Sequence, residues 1–524
     1  MHSKCKTSWL IVALTSLILT VFAGAALGRS ATTLVVAQAE YAFTFDPIFN
    51  WADVNRISRL AFDPLLQYDA ETKAVIPWVA KKWEISEDGL TYTFWLEEGI
   101  TFHDGTDLTA SDVKYTIERI VALAEGVSRF LENVTNVEIV DQYTIVLTLA
   151  APDSALLEAF PGLYIVSEDG VKANETDGDW AQAYLQDHDL GSGPYEVNLH
   201  EAEQRTVLNR YGSYWRDWGK NNIEQVVWLW IAESATQRLM LERGEIDIAM
   251  QVSPADLPDF EADPDIVVHS FSTPIILMTS FRTIHEPLTN VLVRKALAMA
   301  IDYDYVLEVA YLGYGQQARG PLPSTAAGYD PSMPLVAFDL DAAKELLANA
   351  GYPDGGFTLK VSYESGQEDK VRTLEMLEQN WGALGVAVEP MAQDWMAQAE
   401  MQLDPNSEPD VYINYIWPAS TNAAYLLYEF YSSDVKGVYD NNSSYWSNSD
   451  VDQLLYAAVA TSDLATIGNL VRQAQALIVD AAPAAWIAER PYNLAASPYV
   501  KGYVYNPGHQ ETLDVFHMWL DGKP

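Results

Sequence analysis

Cysteine is nearly absent: the single copy in 524 residues is Cys5. A disulfide scaffold is therefore a poor fit. Positive charge is scarce as well, with 31 Lys and Arg against 73 Asp and Glu, giving a net charge of -42. Such a chain repels nucleic-acid phosphates and anionic lipid surfaces, which argues against nucleic-acid binding. The 29 Gly and 25 Pro are scattered, and neither a Gly/Ser/Pro-rich linker nor an internal repeat interrupts the chain. Collagen-like, disordered and beads-on-a-string organisations are thereby set aside.

Catalytic signatures are missing too. The chain contains no Gly-x-Ser-x-Gly elbow, no His-Glu-x-x-His, no phosphate loop ending in Gly-Lys-Ser/Thr and no Gly-x-Gly-x-x-Gly after a strand. The eight His residues are dispersed, and carboxylates are too plentiful to nominate an acid/base pair. His103-Asp104-Gly105 reads more simply as a turn than as the start of a metal site. A non-enzyme without cofactor or metal is expected.

What is present is a globular composition, 49% hydrophobic and 20% charged, long enough for about three structural units at roughly 150 residues each. Lys4 and Lys6 precede an apolar run from Trp9 to Phe22, followed by Ala23, Gly24, Ala25 and Ala26, the three-part layout of a secretory signal. The alternative is an uncleaved anchor. Cys5 lies before the apolar run, so it is not the lipidated first residue of a mature lipoprotein. The expected product, cleaved near residues 25–28, is exported, soluble, and periplasmic or extracellular.

Beyond that leader, strand and helix periods alternate, as in α/β lobes. Lys82–Ser86, Glu87-Asp88-Gly89 and Thr91–Leu96 predict a hairpin, with Gly89 suited to positive φ. Thr109-Ala110-Ser111-Asp112 has capping-box spacing, and Val113, Ile117 and Ile120 follow at helical intervals from a start near Ser111. Farther on, a helix over 341–350 stops at Gly351, a strand over 357–363 follows, and a helix over 368–384 stops at Gly385. Gly244-Glu245-Ile246-Asp247 ends a helix over 234–243 and starts a strand.

The hairpin and capping box belong to a longer string: Pro77-Trp78-Val79-Ala80, Trp83 to Phe94, Phe102-His103-Asp104-Gly105 and Thr109 to Val113. It resembles the family 5 extracellular solute-binding proteins, the peptide/nickel class of ABC importer receptors. The likeness continues in order through Gly191-Ser192-Gly193-Pro194-Tyr195, Asn209 with Tyr214-Trp215, Gly244 to Asp247, Val293 to Leu297 with Ala300-Ile301-Asp302, and Leu346 to Tyr352. It covers essentially the whole chain after the leader.

The resemblance implies an α/β, two-lobed periplasmic-binding-protein fold, type II-like, with an extra small domain in the N-terminal lobe. Its boundaries would be a signal peptide over 1–28, a discontinuous domain I over 29–62, 184–284 and 495–524, domain II over 63–183 and domain III over 285–494. Hinge connections are expected near Arg282–Glu286 and Tyr492–Ala496. The implied partners are a small solute held between the lobes and the permease subunits of an importer, with the receptor a monomer.

By the same resemblance the ligand cleft is lined by Asn50 and Trp51, by Trp395 after Gln393-Asp394, and by the segment around Trp417, with Asn414, Tyr415 and Ser420. Sixteen Trp supply aromatic surface, although core packing is the simpler reading of any one. One departure bears on the ligand. Peptide receptors of this family typically read Trp-x-Ala-Asp-Tyr, the Asp pairing with the peptide's α-ammonium, whereas this chain reads Trp417-Pro418-Ala419-Ser420-Thr421. A hydroxyl is a poor partner for a buried cation. A peptide or oligopeptide is the expected solute, with a carbohydrate such as an oligosaccharide, or another neutral ligand, as the alternative.

Overall fold

Two long strands, Val267–Phe281 and Ala484–Ala496, run antiparallel through the middle of an 11-stranded sheet. The computed structural model describes residues 30–524 except positions 40–41, 50–51, 73, 154, 251, 327, 419–420, 437–440, 462 and 510–512. The expected leader and Cys5 lie outside the described residues. No helix among the described residues is long and apolar enough to cross a membrane.

The two strands divide the sheet because they change neighbours partway along. Val267 to Ser272 pair with Ala496 to Pro491, and this stretch of the second strand also pairs with Ile248–Ala249. Thr33–Gln38, Gln225–Trp230, Arg205–Arg210 and Tyr195–Glu201 extend the sheet outward from there. After a register shift between Ser272 and Ile276, the ladder resumes as Ile276 to Ser280 against Glu489 to Ala484. Val411–Ile416 joins this second half, followed by Phe357–Glu364 and Val386–Gln393. Each half packs its own core, around Leu34, Trp228 and Leu494 in the first and around Leu297, Val361 and Trp381 in the second. The hinge segments expected at 282–286 and 492–496 are not where the partners change. Tyr492 to Ala496 sit inside the first ladder, and Arg282 is fully buried in the second half beneath Asp404 and Ser443.

Local chemistry explains the elements. Phe357–Glu364, the helix Glu368–Gly382 and Val386–Gln393 form a parallel crossover, since parallel neighbours require a long return connection. The helix over 341–350 is observed as Leu340–Asn349, with Gly351 at φ 96°, and Gly385 follows the next helix at φ 76°. Ser234–Glu242 ends before Gly244 as the spacing predicts, but Asp247 does more than start a strand. Its carboxylate accepts from Val35 N, the Tyr499 hydroxyl and Lys523 Nζ at 2.6–2.7 Å.

A separate four-stranded antiparallel sheet is built from Ala80–Ile85, Thr91–Leu96, Thr144–Leu149 and Val134–Asp141. The hairpin predicted around Gly89 is its first pair, with Gly89 at φ 71°. Thr109 caps the helix Ala110–Leu123, and Asp112 returns the bond to the Thr109 backbone N–H at 2.9 Å. The helix thus begins one residue earlier than expected. Val113, Ile117 and Ile120 pack against Phe94 and Leu147 in a core distinct from those of the large sheet. Each such buried aliphatic or aromatic side chain contributes about 1.5–3 kcal/mol.

This unit is tied to the first half of the large sheet by polar anchors. Asp63 is fully buried and accepts from Trp78 Nε1, Trp215 Nε1, the Tyr214 hydroxyl and the Ser192 hydroxyl, all at 2.8–3.1 Å. Burial raises its carboxyl pKa, partly offset by these four donors. The flanking Gly191 and Gly193 permit the approach, because a Cβ at either would collide with the backbone of Ala61.

Candidate ligand cleft

The strand Val411–Ile416 pairs with the first long strand from Phe281 back to Ile276, so Trp417 emerges where the central ladder changes partners. Alternation along this strand sends successive side chains to opposite faces. Val411, Ile413 and Tyr415 meet the layer containing Leu377 and Trp381, while Ile416 packs with Leu426 and Trp486 on the other face. Asn414 shares that second face, 3% exposed, and its Oδ1 accepts from the Ser280 hydroxyl at 3.2 Å. Ser280 in turn bonds Ser443, and both line a cavity of about 10 Å³, near the lower limit for one water. Asn414 and Tyr415, named together from sequence, therefore face different layers.

Tyr415 is half-buried and central to a charged cluster. Its hydroxyl donates to Asp369 at 2.7–2.9 Å, and the Tyr311 hydroxyl donates to the same carboxylate at 2.7 Å. Burial, then the Asp369 charge, push the Tyr415 hydroxyl well above the ordinary tyrosine range, although Arg490 works in the opposite direction. Lys370 Nζ lies 4.2 Å from the ring centroid and 2.8 Å from Glu364 Oε2; the Arg490 guanidinium carbon lies 5.7 Å from the same ring. The Trp417 ring stands nearly perpendicular to Tyr415, with centroids 6.5 Å apart. Beside Arg490, the buried Glu489 carboxylate accepts from Gln316 Nε2, Ser324 N and the Ser324 hydroxyl.

Trp395 opens the helix Trp395–Leu403, which Asp394 caps by accepting from Ala397 N at 2.9 Å. It is 46% exposed, and Met396 beside it is 55% exposed. A tryptophan this open is not spent on core packing. Asn50, Trp51 and Ser420 lie outside the described residues. The structure thus brings Tyr415 and Trp417 together at the seam, presents Trp395 to solvent and buries Asn414.

The sequence reading passed over Asp369, Tyr311, Lys370, Glu489 and Arg490. A signal existed for the last two, since Glu489-Arg490 is the only charged pair in a mostly apolar, buried strand. Two adjacent charges there require partners or a ligand. Among the described residues, no group of three or more His, Cys, Asp and Glu could hold a metal ion.

Comparison with known proteins gives the arrangement a family. Heme-binding protein A of Haemophilus influenzae is 25% identical over 530 residues, covering 94% of this chain and 93% of its own. The glutathione-binding protein GsiB of Escherichia coli O1:K1 is 29% identical over 467 residues, covering 87% and 88%. Among solved structures, the periplasmic binding protein DppA of Helicobacter pylori, in complex with the peptide STSA, superposes with a TM-score of 0.77 at 26% identity. That match covers 93% of this chain and 98% of DppA. These relatives are substrate-binding transport proteins rather than enzymes. The α/β architecture with its large central sheet is that of the periplasmic binding proteins, and the profile of the bacterial extracellular solute-binding proteins, family 5 (middle region), matches residues 74–438. The chain belongs to that family, the solute-binding components of ABC importers for peptides and related ligands.

Proposed function

We propose that this protein captures a peptide-class solute between its two lobes outside the cytoplasm and delivers it to an importer permease. The observation that carries the reading is the seam. Trp417, Tyr415 and Arg490 gather where the two long strands shared by both halves of the sheet change partners. A ligand there is touched by both halves and is buried when they close, which suits hinge-type capture. The break at Ser272–Ile276 and Glu489–Pro491 serves as the pivot. Domains I, II and III keep the order the resemblance implies, with the boundary between I and III drawn at these two breaks instead of at 284/285 and 494/495. The receptor works as a monomer, exported through a cleaved leader and without a lipid anchor. Relatives bind a peptide in one case and glutathione in another, which favours peptide-class solutes; the carbohydrate alternative gains no support from them.

Trp395 and Trp417 contribute binding surface. Calorimetry with a panel of free and N-acetylated di- to pentapeptides tests the reading. Trp417→Ala costs about 2 kcal/mol of affinity, roughly thirtyfold in Kd, while leaving the ligand-free melting temperature near that of the wild type. Trp395→Ala acts in the same direction. Ser420→Asp gains roughly tenfold or more for free-amine peptides alone, because a charge-assisted bond to the α-ammonium is worth about 1.5–3 kcal/mol. A panel without a binder refutes the peptide reading. A Trp variant that loses its fold without ligand refutes that residue's role.

A further inference from the structure

We infer that the helix Ala423–Tyr431 is a clasp that fastens the second lobe onto the four-stranded unit, so that this unit sets the balance between open and closed receptor. The helix is two-faced. Leu426, Leu427 and Phe430 pack into the second lobe beside Val471 and Trp486. Asn422, Tyr425 and Glu429 fall on the opposite side at helical spacing, three and four residues apart. All three meet the four-stranded unit.

Each contact is of a different kind. At the N-cap, Asn422 Nδ2 donates to Glu158 Oε1 at 3.4 Å, while its Oδ1 caps the helix through Tyr425 N at 3.0 Å. One turn on, the Tyr425 ring lies 5.2 Å from that of Phe130 and joins the core containing Leu131 and Ile145. At the far end, Glu429 Oε1 pairs with Arg129 at 2.9 Å. The Glu429 side chain is 5% exposed and that of Arg129 42%, so a buried carboxylate is held by a cation that solvent still reaches.

This interface is of a kind that can open. Among the described residues, neither strand pairing nor a backbone hydrogen bond joins the four-stranded unit to the second lobe. Among those residues it is side chains that hold it, and their separation disturbs no ladder. The carboxylate gives up Arg129 when the clasp opens, but regains water at the same moment. The clasp therefore favours the closed form without locking it. Residues 126–160 act at a distance from Tyr415 and Trp417, through the position of a whole lobe rather than through ligand contact.

The inference rests on the two-lobed receptor reading and is tested separately from it. In a Cys5→Ser background, spin labels at Glu138→Cys and Asn469→Cys, both exposed, report the distance between the four-stranded unit and the second lobe by pulsed electron resonance. Arg129→Ala and Glu429→Gln each move ligand-free protein toward longer distances, lowering the closed-to-open ratio about tenfold. The swap of Arg129→Glu with Glu429→Arg restores the short distance. Where Arg129→Ala does not fold, Glu429→Gln, which keeps the shape, gives the same reading. Folded single variants with the wild-type distance distribution overturn the clasp while leaving peptide capture standing; failure of every peptide in calorimetry strikes the receptor reading instead.

Discussion

His103 shows how a single residue changes meaning once its neighbours are known. Its Nδ1 meets Asp189 and its Nε2 lies 2.9 Å from the Gly193 carbonyl oxygen, an arrangement that uses both ring nitrogens as donors and so suits the imidazolium. Burial by itself lowers the pKa, but the Asp189 charge, the bond to it and the Gly193 carbonyl outweigh burial and hold it above the ordinary histidine value. The sign of the linkage follows. A raised folded-state pKa contributes stability that is fully present below about 6.5, the unfolded value, and is lost as pH rises through the folded value. Urea unfolding between pH 5.5 and 9 is expected to show this loss in the wild type. His103→Gln removes that component, so the difference in unfolding free energy between the two proteins narrows as pH rises. A constant difference would show that the imidazole is neutral.

At the scale of elements, the chain end closes the first half of the large sheet. Lys523 donates to the Thr33 carbonyl oxygen at 2.5 Å and to Asp247 at 2.6 Å, with both charged side chains 3% exposed. Asp247 also holds Val35 N and Tyr499, so one carboxylate joins the first strand, the segment before Ile248–Ala249 and the C-terminal region. Lys523→Met leaves that carboxylate buried without its cation. It is expected to cost about 3 kcal/mol, near the low end for a broken buried pair because two neutral donors remain. Chemical denaturation reads this directly. A loss under about 0.5 kcal/mol, the scale of surface substitutions, would show that the pair is solvated in solution.

For the whole molecule, the net charge of -42 sets a repulsion that no single pair relieves. Ion pairs such as Arg238 with Asp256 and Asp259 engage the few cations, yet most carboxylates face solvent among like charges. Self-repulsion of this kind destabilises the compact state and is screened by salt. Raising NaCl from 20 to 500 mM is therefore expected to raise the thermal midpoint, with the steepest gain at the low end. A falling midpoint would mean that specific pairs outweigh the net field.

The chain's local order was legible because it rests on short-range rules. Gly89 in its hairpin, the Thr109–Asp112 cap, the stops at Gly351 and Gly385 and the likeness to the family all follow from neighbours within a few residues. Of the candidate cleft, the sequence named Trp395, Asn414, Tyr415 and Trp417, with Asn50, Trp51 and Ser420, by resemblance rather than by physics. Tertiary structure decided the rest. Whether Asn414 faces a ligand or the interior is a matter of strand register, and the Ser280 hydroxyl placing it inward lies 134 residues away. Asp369 meets Tyr415 across 46 positions, Arg129 meets Glu429 across 300, and the break in the central ladder is a register shift between two strands more than 200 residues apart. Periodicity is blind to such pairings, because they arise from how whole elements stack and not from the order of residues within one.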